Sequence, residues 1–161
     1  MTIDSRDIDA IVFDFDGVLT DNRVLVFSDG TEAVICNRAD GLAFDFLRAR
    51  NFPAYIVSTE TNPVVRARGA KLRVPVFDSV TDKAAALRSL CETHGHALAR
   101  IMFVGNDTND LPAMQIVGHA VAVADAHPRV RATAAHVLSS RGGEGVARGI
   151  VESLVAFEIP F

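Results

Sequence analysis

The sequence predicts a doubly wound, Rossmann-like α/β fold on a parallel sheet, and three observations point to it. Short apolar runs recur along the chain, helical patterns with readable starts separate them, and the runs lack the in-out alternation of strands that face water on one side. Strands buried on both faces need helices on both faces, which is the doubly wound arrangement. A chain of 161 residues can enclose a full core, and no repeat, low-complexity tract or linker divides it. A single domain over residues 1–161 is therefore expected.

Ile11-Val12-Phe13 reads as the first buried strand. A helix should follow, yet Val24 to Phe27, the turn Ser28-Asp29-Gly30-Thr31 and Glu32 to Ile35 read as a β-hairpin around an Asp-Gly turn. Both faces of its first arm carry apolar side chains, too many for a solvated flap. The hairpin either folds back on its own domain or packs on another subunit. Leu42, Ala43, Phe46 and Leu47 then share one helical face after Asp40-Gly41. Ala54 to Val57 is the next buried strand. Asn62-Pro63 opens a helix running to about Leu72, with Asn62 as cap and proline in the first turn. Val74 to Phe77 is a strand interrupted by Pro75. Asp82 caps a helix from Lys83 to about Thr93, Ile101 to Val104 and Ala120 to Val123 are buried strands, and Pro128 starts a further helix. In such folds ligands bind at the carboxyl ends of the strands.

Composition removes several function classes. The chain is 49% apolar and 22% charged, a balance that supports a folded core rather than disorder. A net charge of −4 offers no attraction to nucleic acid. Cys36 and Cys91 are far apart and read as reduced thiols of a cytoplasmic protein. Met1 to Asp7 is polar and acidic, unlike a signal peptide, and no apolar run reaches the roughly 20 residues that span a bilayer. The expectation is a cytoplasmic protein with neither nucleic-acid nor membrane partners.

The chemistry concentrates where the first strand ends, in Asp14-Phe15-Asp16-Gly17-Val18-Leu19-Thr20. Alternation at a strand end points Asp14 and Asp16 the same way, and two carboxylates there repel unless a cation or proton lies between them. A hard, oxygen-seeking ion such as Mg²⁺ meets that need. With the ion neutralising a phosphate dianion, one carboxylate can attack phosphorus and form an aspartyl phosphate, while the other protonates the leaving oxygen and later activates water.

Asp14 to Thr20 resembles the first motif of the haloacid dehalogenase (HAD) superfamily, and three further motifs follow in order. Ser58 matches the phosphoryl-binding serine or threonine at the second strand end, and Lys83 the lysine that balances nucleophile and phosphate charge. Gly105-Asn106-Asp107-Thr108-Asn109-Asp110 resembles the Gly-Asp-x-x-x-Asp metal motif. The resemblance implies Asp14, Asp16, Ser58 and Lys83 as catalytic residues. It implies Mg²⁺ held by Asp14, Asp16 and either Asn106 or Asp107, with Asp110 in support. Asn106 departs from the family, which mostly has aspartate there.

The lack of an inserted cap domain, the hairpin, the run Val121-Ala122-Val123-Ala124-Asp125-Ala126-His127-Pro128 and the tail Ser140-Arg141-Gly142-Gly143-Glu144-Gly145 resemble a small capless subgroup. That subgroup contains the phosphatases of 3-deoxy-D-manno-octulosonate 8-phosphate and of sialic-acid-like nonulosonate 9-phosphates. It implies a sugar acid phosphate as substrate and a homotetramer whose hairpins and glycine-rich tails, with Arg141 here, help close a neighbour's active site. Ser58-Thr59-Glu60 replaces the Thr-Gly-Arg of the octulosonate enzymes. Glu60, Arg68 and Lys71 match the nonulosonate group, which makes a nonulosonate 9-phosphate the expected substrate and Thr59, Glu60, Arg68 and Lys71 its expected binders. Glu60 also reads as an exposed carboxylate favouring the following helix dipole. Ser58 to Val65 is similar, finally, to HAD modules attached to acylneuraminate cytidylyltransferases, so a weakly active partner of such an enzyme is a further alternative.

Overall fold

The four residues Ala10–Phe13 are buried completely, and the sheet is assembled around them. The structure, a computed structural model, describes residues 3–155. Met1, Thr2 and residues 156–161 of the expected domain lie outside the described residues. In chain order the elements are β1 (Ile3–Asp4), β2 (Ala10–Phe13), β3 (Thr20–Val26), β4 (Glu32–Cys36), α1 (Arg38–Ala49), β5 (Ala54–Val57), α2 (Val64–Leu72) and β6 (Val76–Phe77). There follow α3 (Lys83–His94), β7 (Ile101–Gly105), the short α4 (Leu111–Met114), β8 (His119–Ala122), α5 (Pro128–Thr133), β9 (His136–Val137), α6 (Val146–Ser153) and β10 (Leu154–Val155).

Six strands form one parallel sheet in the order β6-β5-β2-β7-β8-β9, with Phe13 opposite Ile56 on one side and Val104 on the other. The doubly wound α/β fold is therefore present, without an inserted cap domain. From β2 the chain builds outward through β5 and β6, then crosses back to add β7, β8 and β9. That reversal opens a crevice at the carboxyl ends of β2, β5 and β7.

Local chemistry accounts for the helix starts. Asn37 Oδ1 accepts the Ala39 N–H at 2.9 Å and opens α1, earlier than Asp40-Gly41 suggested. The buried face of α1 is Ala43, Phe44, Phe46 and Leu47, whereas Leu42 is 56% exposed. Leu42 lies about 200° round the helix from Phe44, on the side that the domain leaves uncovered. Phe44 takes the inner position, its ring edge-on to Phe13 with centroids 5.3 Å apart. Before α2, Asn62 Oδ1 accepts the Val64 N–H at 3.0 Å. Asp82 Oδ1 accepts the Ala85 N–H at 3.0 Å and opens α3. Pro75 shortens β6 to two residues: it lacks an N–H, and only its carbonyl joins the ladder, accepting from Ile56 N at 3.0 Å.

β3 and β4 form the expected hairpin, with Val24 opposite Val34. Val24, Leu25, Val26, Phe27 and Ile35 are each 50–69% exposed. Their own domain does not cover them, so the hairpin does not fold back.

α6 is capped from outside its own segment. Gly145 precedes it with φ +79°, and the buried carboxylate of Asp40 on α1 takes the capping role, its Oδ1 accepting Ala147 N at 2.9 Å and Arg148 N at 3.3 Å. Asp40 Oδ2 is buried with no hydrogen-bond partner. Burial pushes the Asp40 carboxyl up to about 6, against the pull of the two N–H groups and of the Arg68 guanidinium. A folded-state pKa above the unfolded value of about 3.9 favours the native state most below that value, and the gain is lost as pH rises through 6. Asp40→Asn removes this titration. Its stability relative to wild type should therefore rise by about 1–3 kcal/mol between pH 4 and pH 7. Urea unfolding across that range checks this, and a pH-independent difference would contradict it.

Candidate active site

At the carboxyl end of β2 the chain leaves the sheet through Asp14, whose N–H still donates to Val104 O at 2.9 Å. This fixes the Asp14 side chain over the strand ends, where its Oδ1 accepts the Phe15 N–H at 2.7 Å. Lys83, the first residue of α3, places Nζ 2.7 Å from Asp14 Oδ1 and 2.6 Å from Asp110 Oδ1. Asp110 Oδ2 in turn accepts the N–H groups of Asn106 at 2.8 Å and Asp107 at 3.2 Å. All three charged groups are buried. Burial, then the charge of Asp110, pushes the Asp14 carboxyl up to about 7, while Lys83 and the Phe15 N–H pull it down. For Lys83 the penalty of burial is outweighed by Asp14 and Asp110, and its ammonium is held more firmly than usual.

Asp16 follows in the turn that carries Thr20. The Thr20 hydroxyl accepts the Gly17 N–H at 3.1 Å and donates to Asp16 Oδ1 at 3.4 Å. Burial, then the negative charge of Glu60, raises the Asp16 carboxyl above its ordinary range. Gly17 has φ +79°, and a Cβ on it would overlap the side-chain amide of Asn106. At the end of β5, Ser58 is buried and its Oγ accepts the Glu60 N–H at 3.1 Å. The rim is closed by Asn109 Nδ2, which donates to Thr59 Oγ1 at 3.4 Å.

Asp14, Asp16, Ser58, Thr59, Asn106 and Asp107 thus line one polar cleft of about 270 Å³, backed by Lys83 and Asp110. Asn22, Thr108 and Asn109 line it too, and none of them was singled out from sequence. Asn22 lies within β3, where the register shifts between Thr20 and Val24, and asparagine tolerates the left-handed conformation it adopts there at φ 63°.

Four residues expected at the substrate lie elsewhere within the protomer, or are turned away. Arg68 and Lys71 line a separate cleft of about 480 Å³ between α1 and α2, where Arg68 Nη2 donates to Asn37 O at 2.7 Å. The α2 face that carries them looks toward the start of α1. Arg141 lines a third cleft and pairs with Asp125 at 3.5 Å. Glu60 stands beside the site, but its Oε1 accepts the N–H groups of Thr61 at 2.7 Å and Asn62 at 2.8 Å, which serves the chain leading into α2.

The oxygens suit a hard cation. Asn106 Oδ1 is buried without a hydrogen-bond partner, beside a cleft that also presents the carboxylates of Asp14 and Asp16. Asp107 is exposed, and its Oδ1 is taken by the Thr108 N–H at 2.6 Å. Among the described residues no group of three or more His, Cys, Asp and Glu is placed to hold a metal ion, and the Asn106 amide oxygen adds a neutral oxygen to the two carboxylates of the cleft.

Lys83→Met should strand Asp14 and Asp110 as buried carboxylates without their cation. The expected loss of stability is about 3–5 kcal/mol near neutral pH. It should shrink as pH falls and the carboxylates take up protons. Denaturant unfolding at pH 7 and pH 5 without divalent ions measures both effects, and a loss that does not depend on pH would contradict the assignment.

A model of the haloacid dehalogenase-like hydrolase family matches residues 57–150, more than half of the chain. The 3-deoxy-D-manno-octulosonate 8-phosphate phosphatase of Salmonella typhi is 31% identical over 152 residues, which covers 94% of this chain and 81% of the relative. Among solved structures, a HAD family hydrolase from Streptomyces avermitilis is similar with a TM-score of 0.93 and 46% identity, covering 96% of this chain and 89% of that one. The octulosonate 8-phosphate phosphatase of Moraxella catarrhalis, solved with magnesium, phosphate and the sugar acid, reaches a TM-score of 0.88 at 26% identity over 92% of this chain and 86% of its own. Sheet order, motif placement and relatives agree, and the chain belongs to the haloacid dehalogenase-like hydrolase family.

Proposed function

We propose that this phosphatase hydrolyses the phosphate monoester of a 2-keto-3-deoxy sugar acid, with the eight-carbon 3-deoxy-D-manno-octulosonate 8-phosphate as its substrate. The observation that carries the reading is the meeting of Asp14, Asp16, Ser58 and Asn106 in one cleft backed by Lys83, in a chain similar along nearly its whole length to phosphatases of that ester. The nine-carbon substrate expected from Glu60 has less support, because the relatives act on the octulosonate ester and the Glu60 carboxylate is engaged by its own backbone.

Asp14 attacks phosphorus, the bond from phosphorus to the sugar oxygen breaks, and Asp16 gives that oxygen its proton. The raised affinity of Asp16 for a proton is the direction this acid role needs. Water then attacks the aspartyl phosphate, loses a proton to Asp16, and inorganic phosphate leaves. Lys83 holds Asp14 in place through both steps. Ser58 Oγ accepts from Glu60 N, which leaves its own O–H to donate to a phosphoryl oxygen. Asp14, Asp16 and Asn106 would hold Mg²⁺, which would supply the positive charge that lets a carboxylate approach a phosphate dianion. Asp110 supports that set through the Asn106 and Asp107 amides.

One specific feature favours a second reading, a nonulosonate 9-phosphate. Glu60 puts negative charge beside Asp16, where it can accept hydrogen bonds from substrate hydroxyl or amide groups. The assembly belongs to the same proposal. A homotetramer would bury the apolar hairpin and turn the clefts of Arg68, Lys71 and Arg141 toward a neighbour's substrate, whose carboxylate needs cations.

Phosphate release from the octulosonate and nonulosonate esters, compared by kcat/KM, tests the substrate. The octulosonate ester should be preferred, the activity should vanish with chelator and return with Mg²⁺, and Asp14→Asn should abolish it. Asp16→Asn should cost about 10²- to 10⁴-fold. No release from either ester would defeat the reading, and a preference for the nine-carbon ester would select the second one.

Light scattering at micromolar concentration should give the tetramer mass for the wild-type protein. Val26→Asp or Phe27→Asp should give smaller species with reduced activity. A stable wild-type monomer would refute the assembly.

A further inference from the structure

Three segments distant in sequence meet at the start of α6, directly behind the turn that carries Asp16. Gly142 and Gly143 cross the backbone of Gly17–Asp21 so closely that side chains are excluded. A Cβ on Gly142 would overlap the Gly17 carbonyl oxygen, and one on Gly143, at φ +74°, would lie 2.6 Å from Asp21 N. Gly143 N donates to Val18 O at 3.0 Å, Asn37 Nδ2 donates to Gly143 O at 3.2 Å, and Gly142 N donates to Asp125 Oδ1 at 2.9 Å. The chain then enters α6, whose first N–H groups are held by Asp40 Oδ1.

This cap has unusual chemistry. Gly145 has no side chain, and its φ of +79° lies outside the extended region from which a residue normally caps its own helix. A carboxylate from α1, only 1% exposed, does it instead and leaves its second oxygen buried without a partner. Leaving a buried acceptor unpaired is costly, and a helix of this length could be capped locally without that cost. What the arrangement adds is a fixed distance between α1 and the glycine loop. Arg68 of α2 steadies the same corner through Asn37 O.

We infer that Asp40 is a positioning residue for the reaction. By capping α6 it holds residues 141–145 against Gly17–Asp21, and so fixes where Asp16 stands relative to Asp14. The inference rests on the proposed role of Asp16 as general acid. Because misplacement of a reacting group by about 1 Å can cost about 10²-fold in rate, a loosened loop should register in turnover before it registers in substrate affinity.

The test compares Asp40→Ala, Asp40→Asn and Val151→Ala, using phosphate release from 3-deoxy-D-manno-octulosonate 8-phosphate with Mg²⁺, thermal unfolding, and amide exchange by NMR. Val151 is buried on α6 away from the loop, so its truncation controls for general destabilisation of that helix. Asp40→Ala should lower kcat by about tenfold or more with little change in KM, and should speed exchange of the Gly143 and Ala147 amides. Asp40→Asn keeps an acceptor oxygen and should restore most of the rate. Val151→Ala should lose stability and keep kcat. If Asp40→Ala does not fold, Asp40→Ser, whose hydroxyl is too short to hold both amides, takes its place with the same expectation. Wild-type kcat in the alanine or serine variant overturns the inference, as does an equal loss of kcat in Val151→Ala. Should the wild-type protein release no phosphate, the reading of Asp16 fails. Unchanged exchange at Gly143 in Asp40→Ala would then separately show that Asp40 does not hold the loop.

Discussion

Lys83 Nζ lies within 2.7 Å of two buried carboxylates, Asp14 and Asp110, and the carboxyl end of the sheet is arranged around that double contact. The lysine is there because Asp82 caps α3 and makes Lys83 its first residue. Asp110 is there because its other oxygen holds the Asn106 and Asp107 amides at the end of β7. One ammonium therefore ties β2, β7 and α3 together. Two carboxylates against one cation leave the cluster short of positive charge, and Asp16, Glu60 and Glu32 add further negative charge around it. A phosphate dianion approaching such a mouth needs a bound cation, and the proposed Mg²⁺ site supplies it.

Much of this was legible because the signals were local. The buried strands, the Asp82 cap, the Asp14 and Asp16 pair and the Asp-Gly hairpin each follow from a few adjacent residues and short-range rules. What escaped depends on contacts across the fold. Leu42 and Phe44 are both apolar, and the ring of Phe13 on a different element decides which one faces inward. Neither β9 nor α6 stood out: β9 is two residues long, and α6 follows a glycine-rich tail whose helix cap comes from Asp40, more than a hundred positions earlier. Likewise, Arg68 lies on the anticipated helix, and the direction it faces was set by the carbonyl of Asn37.

Lys83 apart, the cations expected at the proposed substrate lie away from the strand-end cleft in a single protomer. Arg38, Arg68 and Lys71 gather between α1 and α2, Arg141 sits beside Asp125, and the cleft at the strand ends is lined by carboxylates, amides and hydroxyls. The hairpin, apolar on both faces and largely uncovered, is the element best suited to bring such surfaces together.

Gly17 adds no side chain to the site, yet the lack of one is what leaves room for the Asn106 amide. A single methyl at position 17 would occupy the volume of the amide and displace the buried oxygen, although no donor would have been altered. A side chain at position 17 and the asparagine at position 106 therefore compete for the same volume.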